Sequence, residues 1–328
     1  MLVKRFFNYF VTFWCQFPLM RLEGAFNDAL LLFTSRVLRG RCKGRDNVFP
    51  RDSFLFLHAL RADARPRSAI LKWMTSLIDI ERNGRVLELV LNRPEKRNAL
   101  NREMCDVIVA ACESAQDDPA LGAIYLRANG PVFCSGMDLV ESSGPEAAEL
   151  TAIHARLFTM GEWSSKPIVC AVNGPAVAGG LGLVANAHIV LATHGSSFGL
   201  TEIRVGMWPF TIYRAVEAAL GKRRTLELTL SSKIFNTPEA LSWGLIHEVL
   251  PSFELDDRGL AIATALADAS TETIQRGLRF VAACSGLNAV DAMALALKSR
   301  AANFDSLDFE EGAKAFREKR PPRWPSHP

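Results

Sequence analysis

An α/β fold with largely parallel strand pairing is predicted by three observations. Short apolar runs alternate with amphipathic stretches from Ser76 to about Leu191, the order in which helical crossovers return a chain to a parallel sheet. Ala123-Ile124-Tyr125-Leu126 and Ile168-Val169-Cys170-Ala171-Val172 are compact apolar runs of strand length, bounded by turn residues. From about Glu254 to Arg320 the pattern is helical only.

The elements follow in order. Ile78-Asp79-Ile80-Glu81 and Val86 to Leu91 bracket Arg82-Asn83-Gly84-Arg85, a hairpin with an Asn-Gly turn. Asn101 caps an amphipathic helix to about Ala115, with Met104, Val107, Ile108 and Ala111 on one face. Pro119 closes it, and the strand Ala123–Leu126 leads into the loop Ala128-Asn129-Gly130-Pro131. One helix is expected from Pro145 to Trp163, then the strand from Ile168, a Gly-rich turn, a small-residue helix to about Ala187, and the strand His188–Leu191. Four helices are expected last: Leu260–Ala269, Thr271–Ala283, Val290–Ala302 and Phe309–Arg320.

Composition bounds the rest. The 328 residues are 49% hydrophobic and 22% charged, ample for a full core. A balance of 38 basic against 35 acidic residues is too even to favour a nucleic-acid partner. Seven cysteines without a C-x-x-C pair oppose a disulfide framework or a zinc ribbon and favour a reducing compartment, the cytoplasm. The charge is unevenly spread: residues 1–73 carry +8 and half of the 20 phenylalanines, and the remainder carries −5. Asn8, Gln16 and Pro18 interrupt the first apolar run, leaving it short of the ~20 residues of a membrane span. We expect 1–73 to be an extension outside the packed fold. A membrane-surface anchor and a transit segment are the competing readings. Residues 74–253 should form the core with its site, and 254–328 a helical region and Pro-rich tail.

Three segments carry chemistry. Phe133-Cys134-Ser135-Gly136-Met137-Asp138-Leu139 follows a strand and its loop, where a glycine lets the next N–H turn toward a ligand. Val172-Asn173-Gly174-Pro175-Ala176-Val177-Ala178-Gly179-Gly180-Leu181-Gly182 is a Gly-rich turn entering a helix. Its free N–H groups, at the positive end of the helix dipole, can hold a phosphate or a developing oxyanion. It is neither a P-loop nor a dinucleotide fingerprint, and close helix–strand packing would equally account for its glycines. Phe198-Gly199-Leu200-Thr201-Glu202-Ile203-Arg204-Val205-Gly206 sets one carboxylate among apolar neighbours. Burial there would raise the Glu202 pKa toward neutrality; the plainer reading is a surface pair with Arg204.

Taken in order, with Leu91-Asn92-Arg93-Pro94-Glu95-Lys96-Arg97-Asn98-Ala99-Leu100 before them and Ala240 to Ile246 and Glu311 to Arg320 after, these segments resemble the crotonase superfamily, the enoyl-CoA hydratase/isomerase enzymes. The resemblance spans about 76–320. It implies a spiral of β-β-α units and a C-terminal helical region that forms homotrimers or dimers of trimers. It also implies an acyl-CoA substrate whose thioester oxygen lies between the N–H groups of Met137 and Gly179, with no metal or redox cofactor. Gly136, Asp138, Leu139 and Gly180 flank those donors. Lys96, Arg97, Asn98 and Ala99 match the loop that wraps the CoA adenine and pantetheine, and Lys319 a lysine that approaches its phosphates.

One departure bears on the reaction. Family hydratases with two glutamates carry the first where this chain has Gly182 and the second where it has Glu202. A single carboxylate suffices to carry a proton between C4 and C2 of an enoyl thioester, which inclines the expectation to 3,2-enoyl-CoA isomerisation. Hydration, known in relatives with glycine at the first position, and a non-catalytic acyl-CoA-binding role are the alternatives. His154 is an assisting candidate. Trp163, Trp208 and Phe210 could line an acyl tunnel or the core, and Lys222-Arg223-Arg224 could meet phosphate or water.

Overall fold

The computed structural model describes residues 77–142 and 147–328; the extension expected over 1–73 lies outside the described residues. Strands β1 (Ile78–Asn83) and β2 (Val86–Leu91) pair antiparallel, with Gly84 at φ 59° in the turn. Helix α1 (Arg102–Asp117) starts at Asn101, whose side chain accepts from the Met104 N–H, and it buries Met104, Val107, Ile108 and Ala111. After β3 (Ala123–Ala128) come the short α2 (Leu139–Ser142), then α3 (Ala147–Leu157) and α4 (Met160–Trp163).

The next stretch has a spiral rhythm. Strand β4 (Ile168–Val172) is followed by β5 (Ala176–Val177) and α5 (Gly179–Ala185), then β6 (Ile189–Thr193) by β7 (Ser197–Gly199). Helices α6 (Phe210–Leu220) and α7 (Lys222–Ser231), β8 (Ile234–Asn236), α8 (Thr237–Ser242) and β9 (Glu248–Leu250) complete it. Each turn contributes one strand to a six-stranded sheet ordered β1-β2-β3-β4-β6-β9 and one to a three-stranded sheet ordered β5-β7-β8. The larger sheet is parallel from β2 onward.

Both faces of the larger sheet are covered, which is why its central strands are almost wholly apolar. Side chains alternate across a strand: Ile124, Leu126, Ile168, Cys170 and Val172 face the core shared with α1 and α5. Tyr125, Val169 and Ala171 face the other way, against Leu255, Ala263 and Ala267 of α9 (Ser252–Ala267). The boundary expected at 253 therefore falls inside a helix that packs on one face of the sheet. Gly259 permits this approach, since a Cβ there would stand 2.6 Å from the Tyr125 ring. Helices α10 (Thr271–Cys284), α11 (Ala289–Phe304) and α12 (Leu307–Glu318) follow.

Three other expectations are corrected. The helix expected over 145–163 breaks at Phe158-Thr159, because the Asn186 amide intervenes: it donates to the Phe158 carbonyl and accepts from the Gly161 N–H. The same residue ends α5 at Ala185, two residues early. Helix α9 starts at Ser252 rather than Leu260, and α6 and α7 are helices beyond those expected, α6 burying Ile212 and Val216 one turn apart.

Candidate active site

The segment Ser135–Asp138 is held beside the loop before α1 by one parallel bridge. The Leu100 N–H donates to the Gly136 carbonyl and the Leu100 carbonyl accepts from Asp138. In parallel pairing the residue between those two bonds points its own N–H and C=O to the opposite side, so the Met137 N–H faces away from Leu100. Gly136, at φ 97°, makes the bend.

Gly179 is the first residue of α5, whose leading N–H groups have no acceptor within the helix. Among the described residues neither the Met137 nor the Gly179 N–H donates to a backbone acceptor. The two amides are neighbours: a Cβ on Gly136 would stand 3.3 Å from the Gly179 nitrogen. Between β5 and α5, Ala178 adopts φ 50°, ψ −124°, a region that disfavours residues with a Cβ and costs on the order of 1–3 kcal/mol. The strain turns the α5 N-terminus toward the Met137 strand.

Glu202 begins a 3₁₀ turn, Glu202–Val205, closed by Gly206 at φ 74°. Arg204 is not its partner: that guanidinium binds the Ser232 hydroxyl and carbonyl at the end of α7, anchoring the turn. Glu202 is 9% exposed, and its Oε2 is buried with no hydrogen-bond partner. Burial raises its pKa from 4.5 to about 7, with the N–H groups of Glu202 and Thr201 pulling the other way. Protonated and ionised forms are therefore both accessible near neutral pH.

Met137, Gly179 and Glu202 line one cavity of about 120 Å³. Phe158, Trp208 and Ile212 supply much of its apolar wall, and Leu139 stands at its edge. Of the other aromatic candidates, Trp163 lies under Arg156 at 4.0 Å and Phe210 is 80% exposed, both outside the cavity.

Gly182 faces no vacancy. A Cβ there would overlap Ile212 Cγ2 and stand 3.0 Å from Phe158 Cδ1, so two apolar side chains occupy the room a glutamate would need. Neither was legible as a site residue, because Ile212 comes there through the packing of α6 against α5 and Phe158 from the break between α3 and α4.

The remaining candidates divide. Lys96 and Arg97 are exposed, and their loop is tied to the Met137 strand, since the Arg97 carbonyl accepts from the Ser135 N–H at 3.1 Å. Ala99 is half-buried and its carbonyl accepts from Arg93. Three of the expected ligand-contact residues are engaged within the protein itself. Asn98 is fully buried and its amide is spent on Asn129, Val132 and the Arg93 N–H. Asp138 binds Arg93 at 2.9 Å, a pair that also holds its carboxyl below the usual range. Gly180 packs against the Cys134 carbonyl, which a Cβ would overlap. Lys319 is exposed at the end of α12, with φ 53°, and the cavity takes no lining residue from that helix. Arg93, not among the expected site residues, joins the two loops through the Ala99 carbonyl and the Asp138 carboxylate.

His154 is buried, its pKa pushed down to about 4, and its Nε2 lacks a partner. It packs against Phe158 with ring centroids 5.6 Å apart and planes tilted by 40°, and does not line the cavity. The Cys134 thiol is pushed up to about 12 by burial, as befits a small core residue. Arg224 pairs with Glu227 and lies over Trp243 on an exposed face.

The pattern of the enoyl-CoA hydratase/isomerase family matches residues 81–327, and the chain belongs to that family. It is 32% identical to the mevalonyl-coenzyme A hydratase of Aspergillus fumigatus over 246 residues, 73% of this chain and 91% of that protein. It is 30% identical to the mitochondrial enoyl-CoA hydratase domain-containing protein 3 of Danio rerio, over 76% of this chain and 88% of that one. The crystal structure of a Mycobacterium smegmatis enoyl-CoA hydratase superposes with a TM-score of 0.72 at 27% identity, covering 76% and 99% of the two chains. The fold is the α/β crotonase fold with C-terminal helices. No described helix is long and apolar enough to cross a membrane.

Proposed function

We propose that the protein hydrates a 2-enoyl-CoA thioester, with the substrate oxygen held by the N–H groups of Met137 and Gly179 and the proton carried by Glu202. The observation that carries this reading is the buried Glu202 carboxyl, its Oε2 without a hydrogen-bond partner, in the cavity that Met137 and Gly179 also line. Ionised Glu202 takes a proton from water as the oxygen adds to C3, and charge moves onto the thioester oxygen. The two amides stabilise that charge; removal of one such donor typically costs about 10²–10³ in rate. The same carboxyl, now protonated, returns a proton to C2. A pKa near 7 suits both halves of this cycle.

The hydratase names of the three relatives support hydration over the isomerisation expected from the sequence. A specific observation keeps isomerisation as the second reading: Ile212 and Phe158 fill the place of a second carboxylate. Assaying crotonyl-CoA hydration beside conversion of a 3-enoyl to a 2-enoyl thioester separates the two. Thioester binding without turnover in either assay would leave only a binding role.

The assembly we propose is a homo-oligomer of three or six copies. Val281, Val290, Met293 and Leu297 on α10 and α11 are 58% exposed or more in the single chain, an apolar face suited to a second copy. Sedimentation velocity tests it. The cytoplasmic location expected from the cysteines competes with a mitochondrial one, favoured by the Danio rerio relative's name and the basic bias of 1–73. Fractionation of cells with the intact mass of the recovered protein decides between them.

A further inference from the structure

Phe158 and Ile212 form a floor beneath the two amides. A Cβ on Gly179 would stand 3.2 Å from Phe158 Cζ and one on Gly182 3.0 Å from Phe158 Cδ1, so the ring spans the glycine face of α5. Ile212 fills the rest of that face, and both residues are 2% exposed. The buried His154 imidazole packs against the same ring, with centroids 5.6 Å apart, and leaves Phe158 little room to swing aside for an apolar chain. The cavity measures about 120 Å³, somewhat less than a cavity of ~150 Å³ that accommodates benzene. Beyond the floor the way out is across Val205 and Met207, which are 54% and 40% exposed.

We propose that Ile212, braced by Phe158, is the specificity-determining residue of the acyl cavity and confines the enzyme to short-chain acyl thioesters. This inference rests on the acyl-thioester reading above and adds the length of the acyl group. The floor blocks the chain at its far end, and a longer chain must bend back over the mouth into water. A site without a floor would show the opposite trend, because every additional buried CH₂ adds hydrophobic stabilisation.

The test is calorimetric binding of butyryl-CoA and octanoyl-CoA to the full chain, with no turnover required. The wild-type protein should bind butyryl-CoA about tenfold or more tightly than octanoyl-CoA, the scale on which apolar pockets discriminate size. Ile212→Ala should erase or reverse that ratio. Phe158→Leu, which keeps an apolar floor of smaller size, should shift it the same way if Ile212→Ala fails to fold. Equal or tighter octanoyl binding by the wild type overturns the inference, as does an unchanged ratio in a natively folded variant; acyl-thioester binding then still stands. Binding of neither thioester overturns both.

Discussion

Gly136 and Gly179 meet backbone to backbone: a Cβ on Gly179 would stand 3.5 Å from the Gly136 Cα. This approach brings the bridge that carries Met137 against the helix end that begins at Gly179. A side chain at Gly136 would instead meet the Ala178 Cβ at 2.8 Å. The catalytic reading makes the main chain, not the side chains, the working part of this region.

Met137→Ala should therefore keep most of the activity, because its N–H is retained. Met137→Pro removes the donor while leaving the Leu100 bridge its own bonds to Gly136 and Asp138. Its kcat should fall by about 10²–10³. Steady-state kinetics on both variants, with melting curves to verify folding, would reject the assignment if the proline variant matched the alanine one.

Glu202→Gln should lower kcat by about 10²–10⁴, the usual contribution of a positioned acid–base group. The wild-type kcat/KM should rise with pH through about 7 and then level, since ionised Glu202 starts the cycle. A variant with undiminished turnover would remove Glu202 from the mechanism, whatever its burial.

The same carboxyl affects stability with a definite sign. Its folded pKa lies above its ordinary value of 4.5, so the folded state binds the proton more tightly and stability falls as pH rises from about 4.5 to 7. The full cost above that window is about 3 kcal/mol. Glu202→Gln should accordingly be more stable than the wild type at pH 8 and lose this advantage near pH 4, as read by urea denaturation at each pH.

Gly182→Glu should not create a two-carboxylate site. Its side chain would collide with Ile212 and Phe158, and overpacking of this kind costs roughly 1–3 kcal/mol. Denaturant midpoints should fall and hydration should not improve. A gain in hydration without loss of stability would mean that the α5–α6 contact is looser than the packing implies.

Asn98→Ala should be the most damaging change outside the cavity. Its buried amide meets three backbone groups, and each buried polar group left unmatched costs about 1–3 kcal/mol. Chemical denaturation should show a loss of several kcal/mol, whereas Lys96→Ala, on the exposed side of the same loop, should leave stability within ~0.5 kcal/mol.

Several features that neighbours in the chain decide were legible in the amino-acid order alone. The Asn83-Gly84 hairpin, the Asn101 cap, the buried strands and the Gly-rich entry to α5 are all local: a turn, a cap or an alternation needs only a few adjacent residues. Tertiary structure decided what depends on distant residues meeting. Asn186 splits a helix 25 residues upstream through the Gly161 N–H, Asn98 and Asp138 spend their side chains on holding loops, and Ile212 fills the space left by Gly182. Burial, too, is a property of the surroundings. The carboxyl of Glu202 is buried in a cavity lined by residues of α5 and by those leading into α6, as the proposed proton-carrying role requires, and no pattern within its own segment distinguishes that from an ion pair with Arg204.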